Sequence, residues 1–64
     1  MTQSLLRLDA VKHRTGLSRS TLYRLVKAGL FPRPIAIGGT RAKAWPSNEI
    51  DSWIARQIER GPRA

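Results

Sequence analysis

Hydrophobic residues recur at helical spacing in three stretches of the chain, and each stretch is bounded by residues that start or stop helices. This pattern predicts helices over about 10–15, 19–28 and 48–60. Asp9 and Ser18 stand at the expected N-cap positions of the first two helices. The polar segment Met1–Ser4 is expected to fray. The chain is therefore predicted to be mainly α-helical.

The second predicted helix has two chemically different faces. On a helical wheel, Leu22, Leu25 and Val26 cluster on the side that would pack inward. The opposite side carries Ser20, Arg24 and Lys27, flanked by Thr21 and Tyr23. Gly29 suits the left-handed position that ends such a helix, with Leu30 placed for an apolar contact back to Leu25.

The third predicted helix carries an apolar stripe between clear start and stop signals. Ser47 is its expected N-cap, and Gly61 and Pro62 would end it. The residues expected to face the core are Ile50, Trp53, Ile54 and Ile58. Trp53 lies centrally in this stripe and is interpreted as a core residue.

The segment between the second and third helices predicts a short two-stranded hairpin over about 35–45. Gly38 and Gly39 stand at its centre, where glycine readily adopts the positive φ angles of tight hairpin turns. Two strands alone are marginal in water, so this wing must pack on the helices. The expected contacts are Ile35, Ile37 and Trp45, with Phe31 anchoring the preceding segment.

Length and composition limit the functions open to the chain. Its 64 residues predict one small domain over 1–64, which would bury only about 60% of the surface exposed on unfolding, too little for a large active site. With no cysteine, one histidine and no catalytic Ser, His and Asp arrangement, neither an enzyme nor a metal or other cofactor is expected. No signal peptide and no membrane span are evident, which predicts a soluble cytoplasmic protein.

Charge is distributed unevenly along the chain. The formal net charge is +8, yet the window 10–48 contains no acid at all. The bases in that window are Lys12, Arg14, Arg19, Arg24, Lys27, Arg33, Arg41 and Lys43. Such a footprint predicts binding of a polyanion by this part of the chain.

A short helix, a glycine-containing turn and a second helix with a basic outer face together indicate a helix-turn-helix, whose second helix reads the DNA major groove. Arg24 could bind guanine in bidentate fashion, and Lys27 could contact phosphate. Arg41 and Lys43 near the wing tip could contact the backbone or the minor groove. The candidate DNA-binding residues are Arg19, Ser20, Thr21, Tyr23, Arg24, Lys27, Arg41 and Lys43.

The stretch from Arg7 to Ala55 resembles the AlpA family of phage-type regulators. The resemblance is carried by TGLSRSTLYRL, KAGLFP, the paired glycines, Trp45 and EIDSWI, in that order. It implies a winged helix-turn-helix related to excisionases and to the DNA-binding heads of MerR-type activators, and the same contact residues on the second helix and wing. Members often carry a base directly after the paired glycines, whereas Thr40 stands here and Arg41 follows.

Three functions remain open from the sequence. The first is a sequence-specific regulator of prophage or mobile-element genes that binds double-stranded DNA, recruits or excludes RNA polymerase, and associates with the nucleoid. The second is an excisionase that bends attachment-site DNA and assists an integrase. The third is an interaction module whose basic face binds an acidic protein. Because one such domain covers few base pairs, a homodimer or cooperative assembly on DNA is expected in the first two cases.

Overall fold

The computed structural model describes residues 3–62 and contains three helices and a small antiparallel sheet, which confirms the predicted fold class. In chain order the elements are β1 (Leu5–Leu6), α1 (Leu8–Thr15), α2 (Arg19–Lys27), β2 (Ile35–Ala36), β3 (Lys43–Pro46) and α3 (Ser47–Arg60). None of the helices within residues 3–62 is long and apolar enough to cross a membrane.

The first helix begins earlier than predicted. It starts at Leu8, its N-cap is Arg7, and no side chain caps it. Asp9 is therefore not the N-cap but lies in the first helical turn, where its negative charge interacts favourably with the positive end of the helix dipole. Strand β1 ends just before, so the chain passes from strand into helix without a separate capping turn.

The third helix also begins earlier than predicted, and its first residue takes part in a long-range contact. Ser47 is the first residue of α3, and Pro46 occupies the cap position. The Ser4 backbone N–H donates to Ser47 Oγ at 2.9 Å, and the Ser47 N–H donates to the Ser4 carbonyl at 2.8 Å. The predicted capping role of Ser47 is therefore wrong, and so is the expectation of fraying at Ser4. Met1 and Thr2 lie outside the described residues.

The sheet contains the predicted hairpin and one strand that the sequence did not reveal. The strand order is β1-β3-β2, and both pairings are antiparallel. Leu6 is opposite Trp45 in the β1–β3 pair, and Ile35 is opposite Ala44 in the β2–β3 pair. A two-residue strand carries too few positions to display an alternation of polar and apolar residues, which is why β1 escaped the pattern.

The core lies between the sheet and the helices. Its buried apolar residues are Leu6, Val11, Leu22, Phe31, Ala44, Trp45 and Ile50. The predicted inward positions of Phe31 and Trp45 are confirmed, whereas Ile35 is 45% exposed and Ile58 is 60% exposed. Ile35 lies on an edge strand that is paired on one side only, and Ile58 lies a full turn beyond Ile54, the last residue of α3 that packs against the core.

The end of α2 forms a Schellman motif. The helix ends at Lys27, one residue before the predicted end, and Gly29 has the expected left-handed φ of 77°. The Leu30 N–H donates to the Leu25 carbonyl at 2.8 Å, and the Gly29 N–H donates to the Val26 carbonyl at 3.1 Å. The Leu30 side chain nevertheless remains 64% exposed, so the expected apolar cover at this end is incomplete.

Candidate nucleic-acid interface

Helices α1 and α2 are joined by a tight turn whose hydrogen bonds are local. Gly16 ends α1 with a φ of 73°, and Ser18 caps α2 by accepting the Thr21 N–H at 3.3 Å, as predicted. The Thr15 hydroxyl donates to the Val11 carbonyl at 2.8 Å and accepts the Leu17 N–H at 3.3 Å. These bonds fix the turn and hold α2 in a defined direction relative to α1.

The outer face of α2 is exposed along its whole length. Leu22 is completely buried, and the side chains opposite it are at the surface. The exposed candidate residues on this helix are Arg19, Ser20, Tyr23, Arg24 and Lys27. Thr21 differs because it is half-buried and its hydroxyl accepts a hydrogen bond from Ser18 at 2.9 Å.

Tyr23 lies between the outer face of α2 and the wing. Its side chain is 39% exposed, and its ring centroid is 6.3 Å from that of Trp45 on β3, with the two rings tilted by 56°. The guanidinium carbon of Arg19 lies over the same ring, 5.7 Å from its centroid. Tyr23 is thus packed on one side and available on the other.

The wing, formed by β2, β3 and the turn between them, displays both of its candidate residues. Arg41 and Lys43 are exposed. Gly38 and Gly39 have φ values of 55° and 72°, the positive pair that a tight hairpin turn requires. The predicted role of the two glycines is therefore confirmed.

Thr40 stabilises the wing turn in a way that the sequence analysis missed. Its N–H and its hydroxyl both donate to the Ile37 carbonyl, at 3.0 and 2.7 Å, and its hydroxyl accepts the Ala42 N–H at 3.1 Å. Threonine hydroxyls can bond to nearby backbone groups in turns, so the residue type itself was a usable signal. Thr40 is therefore part of the turn itself, and the first basic residue of the wing is Arg41.

Charge separates the α2–wing surface from α3. The acids of α3 are Glu49, Asp51 and Glu59, whereas α2 and the wing contain none. Within residues 3–62 the structure shows one ion pair, between Arg14 of α1 and Asp51 at 3.1 Å. No acid among the described residues pairs with the bases of α2 or the wing, so their positive potential is available to an external anion.

The exposed second helix, its short turn and the adjacent hairpin define a winged helix-turn-helix. The chain belongs to the AlpA family: residues 4–58 match the family described as "Prophage CP4-57 regulatory protein (AlpA)". The family resemblance inferred from the sequence is thereby confirmed, and the family is a regulatory one.

A phage protein is among the relatives of this chain. It is 43% identical to "Uncharacterized protein ORF88" of Enterobacteria phage P4 over 53 residues, which are 83% of this chain and 59% of the relative. The chain thus spans less than two thirds of that relative's length. No solved structure matches this chain.

Proposed function

We propose that this protein is a sequence-specific double-stranded DNA-binding regulator of prophage or mobile-element transcription. The observation that carries the proposal is the acid-free surface formed by the outer face of α2 and the wing. Membership of a regulatory phage family supports the same conclusion. The protein would act in the cytoplasm at the nucleoid, and polymerase contact would follow from its position on promoter DNA.

The dimensions and side chains of α2 suit the major groove. An α-helix with its side chains is about 10–12 Å across and the groove is about 12 Å wide. On the helical wheel Ser20 and Arg24 lie opposite buried Leu22, and both are exposed, so they would reach base edges, with Arg24 suited to a bidentate bond with guanine. Lys27 would bind phosphate at the end of the helix.

The wing would contact the DNA beside the groove that α2 occupies. Arg41 and Lys43 are exposed, and flexible basic side chains can bind backbone phosphates or enter a minor groove. The Thr21 hydroxyl accepts a hydrogen bond from Ser18, and its own O–H can still donate to a phosphate or a base edge.

Excisionase activity is the second candidate, because the winged helix-turn-helix fold is also the one that the resemblance to excisionases implies. Leu30 and Ile58 are large apolar side chains that are 64% and 60% exposed, and each is available for contact with a neighbouring copy or an integrase on DNA. Bending of attachment-site DNA and stimulation of an integrase would distinguish this activity from regulation at a promoter.

The decisive experiment is selection of binding sites from a random duplex DNA pool at about 150 mM salt, where nonspecific attraction is partly screened. A sharp motif is expected, and direct repeats of it would favour the excisionase. About six phosphate contacts would lower the binding constant by about five powers of ten per tenfold rise in salt. Binding without a motif would refute sequence specificity. Absence of binding, or a flat salt response, would favour an acidic protein partner.

Variants of two exposed bases on α2 provide the matched comparison. Arg24→Ala should weaken binding to the selected site by about 1–3 kcal/mol and relax the preference at one base pair. Lys27→Ala should weaken selected and random duplexes equally, because a phosphate contact carries no sequence information. Equal losses on both duplexes for Arg24→Ala would refute its role in reading a base.

A further inference from the structure

A continuous line of aromatic rings runs from α3 to the outer part of α2. Trp53 meets Phe31 at 4.7 Å between ring centroids, and Phe31 meets Trp45 at 6.4 Å. Trp45 in turn meets Tyr23 at 6.3 Å, and the Arg19 guanidinium lies over Tyr23. The first residue of the exposed helix is thus connected to the interior by packed side chains.

Both tryptophans in this line are held by hydrogen bonds as well as by packing. The Trp45 indole N–H donates to the Pro32 carbonyl at 2.8 Å, and the ring is only 1% exposed. The Trp53 indole N–H donates to the Leu30 carbonyl, also at 2.8 Å. Tyr23 therefore packs against an indole ring that is fixed in place, which restricts the motion of the Tyr23 ring under Arg19.

The stacked arrangement leaves Arg19 able to bind an anion. A guanidinium over an aromatic face gains a cation–π attraction of about 0.5–1 kcal/mol at an exposed site, and its planar edge still presents N–H donors. Holding a long side chain in one position before the ligand arrives also reduces the entropy lost on binding. Both effects require the ring of Tyr23 and not its hydroxyl.

The position of the pair on α2 indicates which part of DNA it would meet. On the helical wheel Ser20 and Arg24 lie opposite Leu22, whereas Arg19 and Tyr23 lie on the flank that faces β3. When a helix occupies the major groove, its outermost residues reach base edges and its flanks face the groove walls, which are phosphate strands.

We propose that Arg19 binds a single backbone phosphate on the wall of the groove nearest the wing, and that Tyr23 is the residue that positions Arg19 for this contact. The proposal rests on the DNA-binding function proposed above. It divides the surface of α2 into a base-reading centre around Arg24 and a phosphate-binding flank at Arg19. Tyr23 links that flank to Trp45 and so to the wing.

A double-mutant cycle on the selected duplex tests the positioning role. Arg19→Ala should weaken binding about tenfold or more, since a charged hydrogen bond is lost, and should reduce the magnitude of the salt slope by about 0.9. Tyr23→Leu should weaken binding about two- to fivefold, the worth of the stacking contact. The double variant should bind no more weakly than Arg19→Ala alone. Tyr23→Phe should bind like the wild type because it keeps the ring.

Two further variants keep the test valid if Tyr23→Leu unfolds. Arg19→Lys leaves Tyr23 and its packing intact and retains the charge, but it lacks the planar group, so its affinity should fall between those of the wild type and Arg19→Ala. Arg60→Ala removes one exposed charge from the end of α3 and serves as the control for net charge. Circular dichroism melting curves would verify that each variant is folded.

A duplex series with single neutral methylphosphonate linkages locates the contact. At one position the neutral linkage should weaken binding of the wild type and of Tyr23→Phe, while Arg19→Ala should be insensitive to it. Additive losses in the cycle, Tyr23→Phe behaving like Tyr23→Leu, or an Arg19→Ala defect that follows a base pair instead of a phosphate would each overturn the proposal. In those cases the wild type still binds DNA, whereas a wild type that binds no duplex would refute the DNA-binding function itself.

Discussion

Helices α2 and α3 have similar starting signals in the sequence but are established by different interactions. Each begins after a residue with extended backbone, Ser18 for α2 and Pro46 for α3. Ser18 caps its own helix through a neighbouring N–H, whereas Ser47 at the start of α3 bonds to Ser4, which is 43 residues away. One helix start is therefore local, and the other depends on the folded chain.

The ends of α2 and α3 also differ in how strongly local bonds define them. At α2, Gly29 adopts a left-handed φ of 77° and two backbone bonds close a Schellman motif. At α3, Gly61 has an ordinary φ of −66° and makes a single backbone bond to the Gln57 carbonyl. Short-range bonds thus define both ends of α2, so its outer face is held in place with only Leu22 fully buried. That property suits a helix proposed to enter a DNA groove.

The largest expected effect on stability concerns the two tryptophans, Trp45 on β3 and Trp53 on α3. Trp45→Ala should lower the free energy of unfolding by about 3–5 kcal/mol, because the ring is 1% exposed and contacts both Phe31 and Tyr23. Trp53→Ala should cost less, since Trp53 is only half-buried beside Phe31. Urea denaturation followed by circular dichroism measures both. Equal losses would show that α3 depends on its tryptophan as strongly as the sheet does.

The next effect compares the two helix ends. Gly29→Ala should destabilise the protein by about 1–2 kcal/mol, because a non-glycine residue in the left-handed region is strained even though the space around it is open. Gly61→Ala would place its Cβ 2.8 Å from the Gln57 carbonyl oxygen, a backbone atom, so the last turn of α3 would have to shift. That turn lies beyond Ile54, the last residue of α3 that packs against the core, so unwinding it should cost little and thermal melting should show the larger loss at Gly29. The reverse order would mean that the end of α3 is the more rigid.

The helix starts provide a smaller test. Ser18→Ala should cost about 1 kcal/mol through loss of the cap, whereas Ser18→Thr should retain most of the stability. Ser47→Ala should act at a distance instead, by increasing hydrogen exchange at the Ser4 amide, whose acceptor it removes. Protection at Ser4 that is unchanged in Ser47→Ala would contradict the assignment of that bond.

The smallest effect belongs to the ion pair that joins α1 to α3. Arg14 and Asp51 are 44% and 63% exposed, so a double-mutant cycle with alanine should give a coupling of only about 0.2–1 kcal/mol. The coupling should decrease in high salt because exposed charges are screened. A larger, salt-insensitive value would indicate that α3 is attached to α1 more firmly than the exposed geometry suggests.

The elements that could be predicted are those specified by neighbouring residues. The second helix, the left-handed Gly29 and the glycine turn of the wing all follow from signals within a few positions, and the structure confirms each of them. The candidate site was predictable to the same extent, because a basic face without acids is a property of the chain itself. The contacts of those residues with DNA stay predictions.

The features that were missed or misplaced depend on residues far apart in the chain. Strand β1, the bond between Ser4 and Ser47 and the contact between Tyr23 and Trp45 join distant segments and leave no periodic signal. Ile58 was assigned to the core because periodicity shows which side of a helix is apolar but not how far the body of the protein extends beneath it.

By itself, the sequence determined the helix-turn-helix, the turn of the wing and the concentration of positive charge on one part of the chain, because backbone preferences and charge are local properties. Only the tertiary structure decided that a third strand joins the wing, that α3 starts at Ser47, and that Tyr23 lies between Arg19 and Trp45. Those outcomes depend on which distant parts of the chain bury apolar surface against one another. The hydrophobic effect is non-directional, so the order of residues along the chain does not specify these partners.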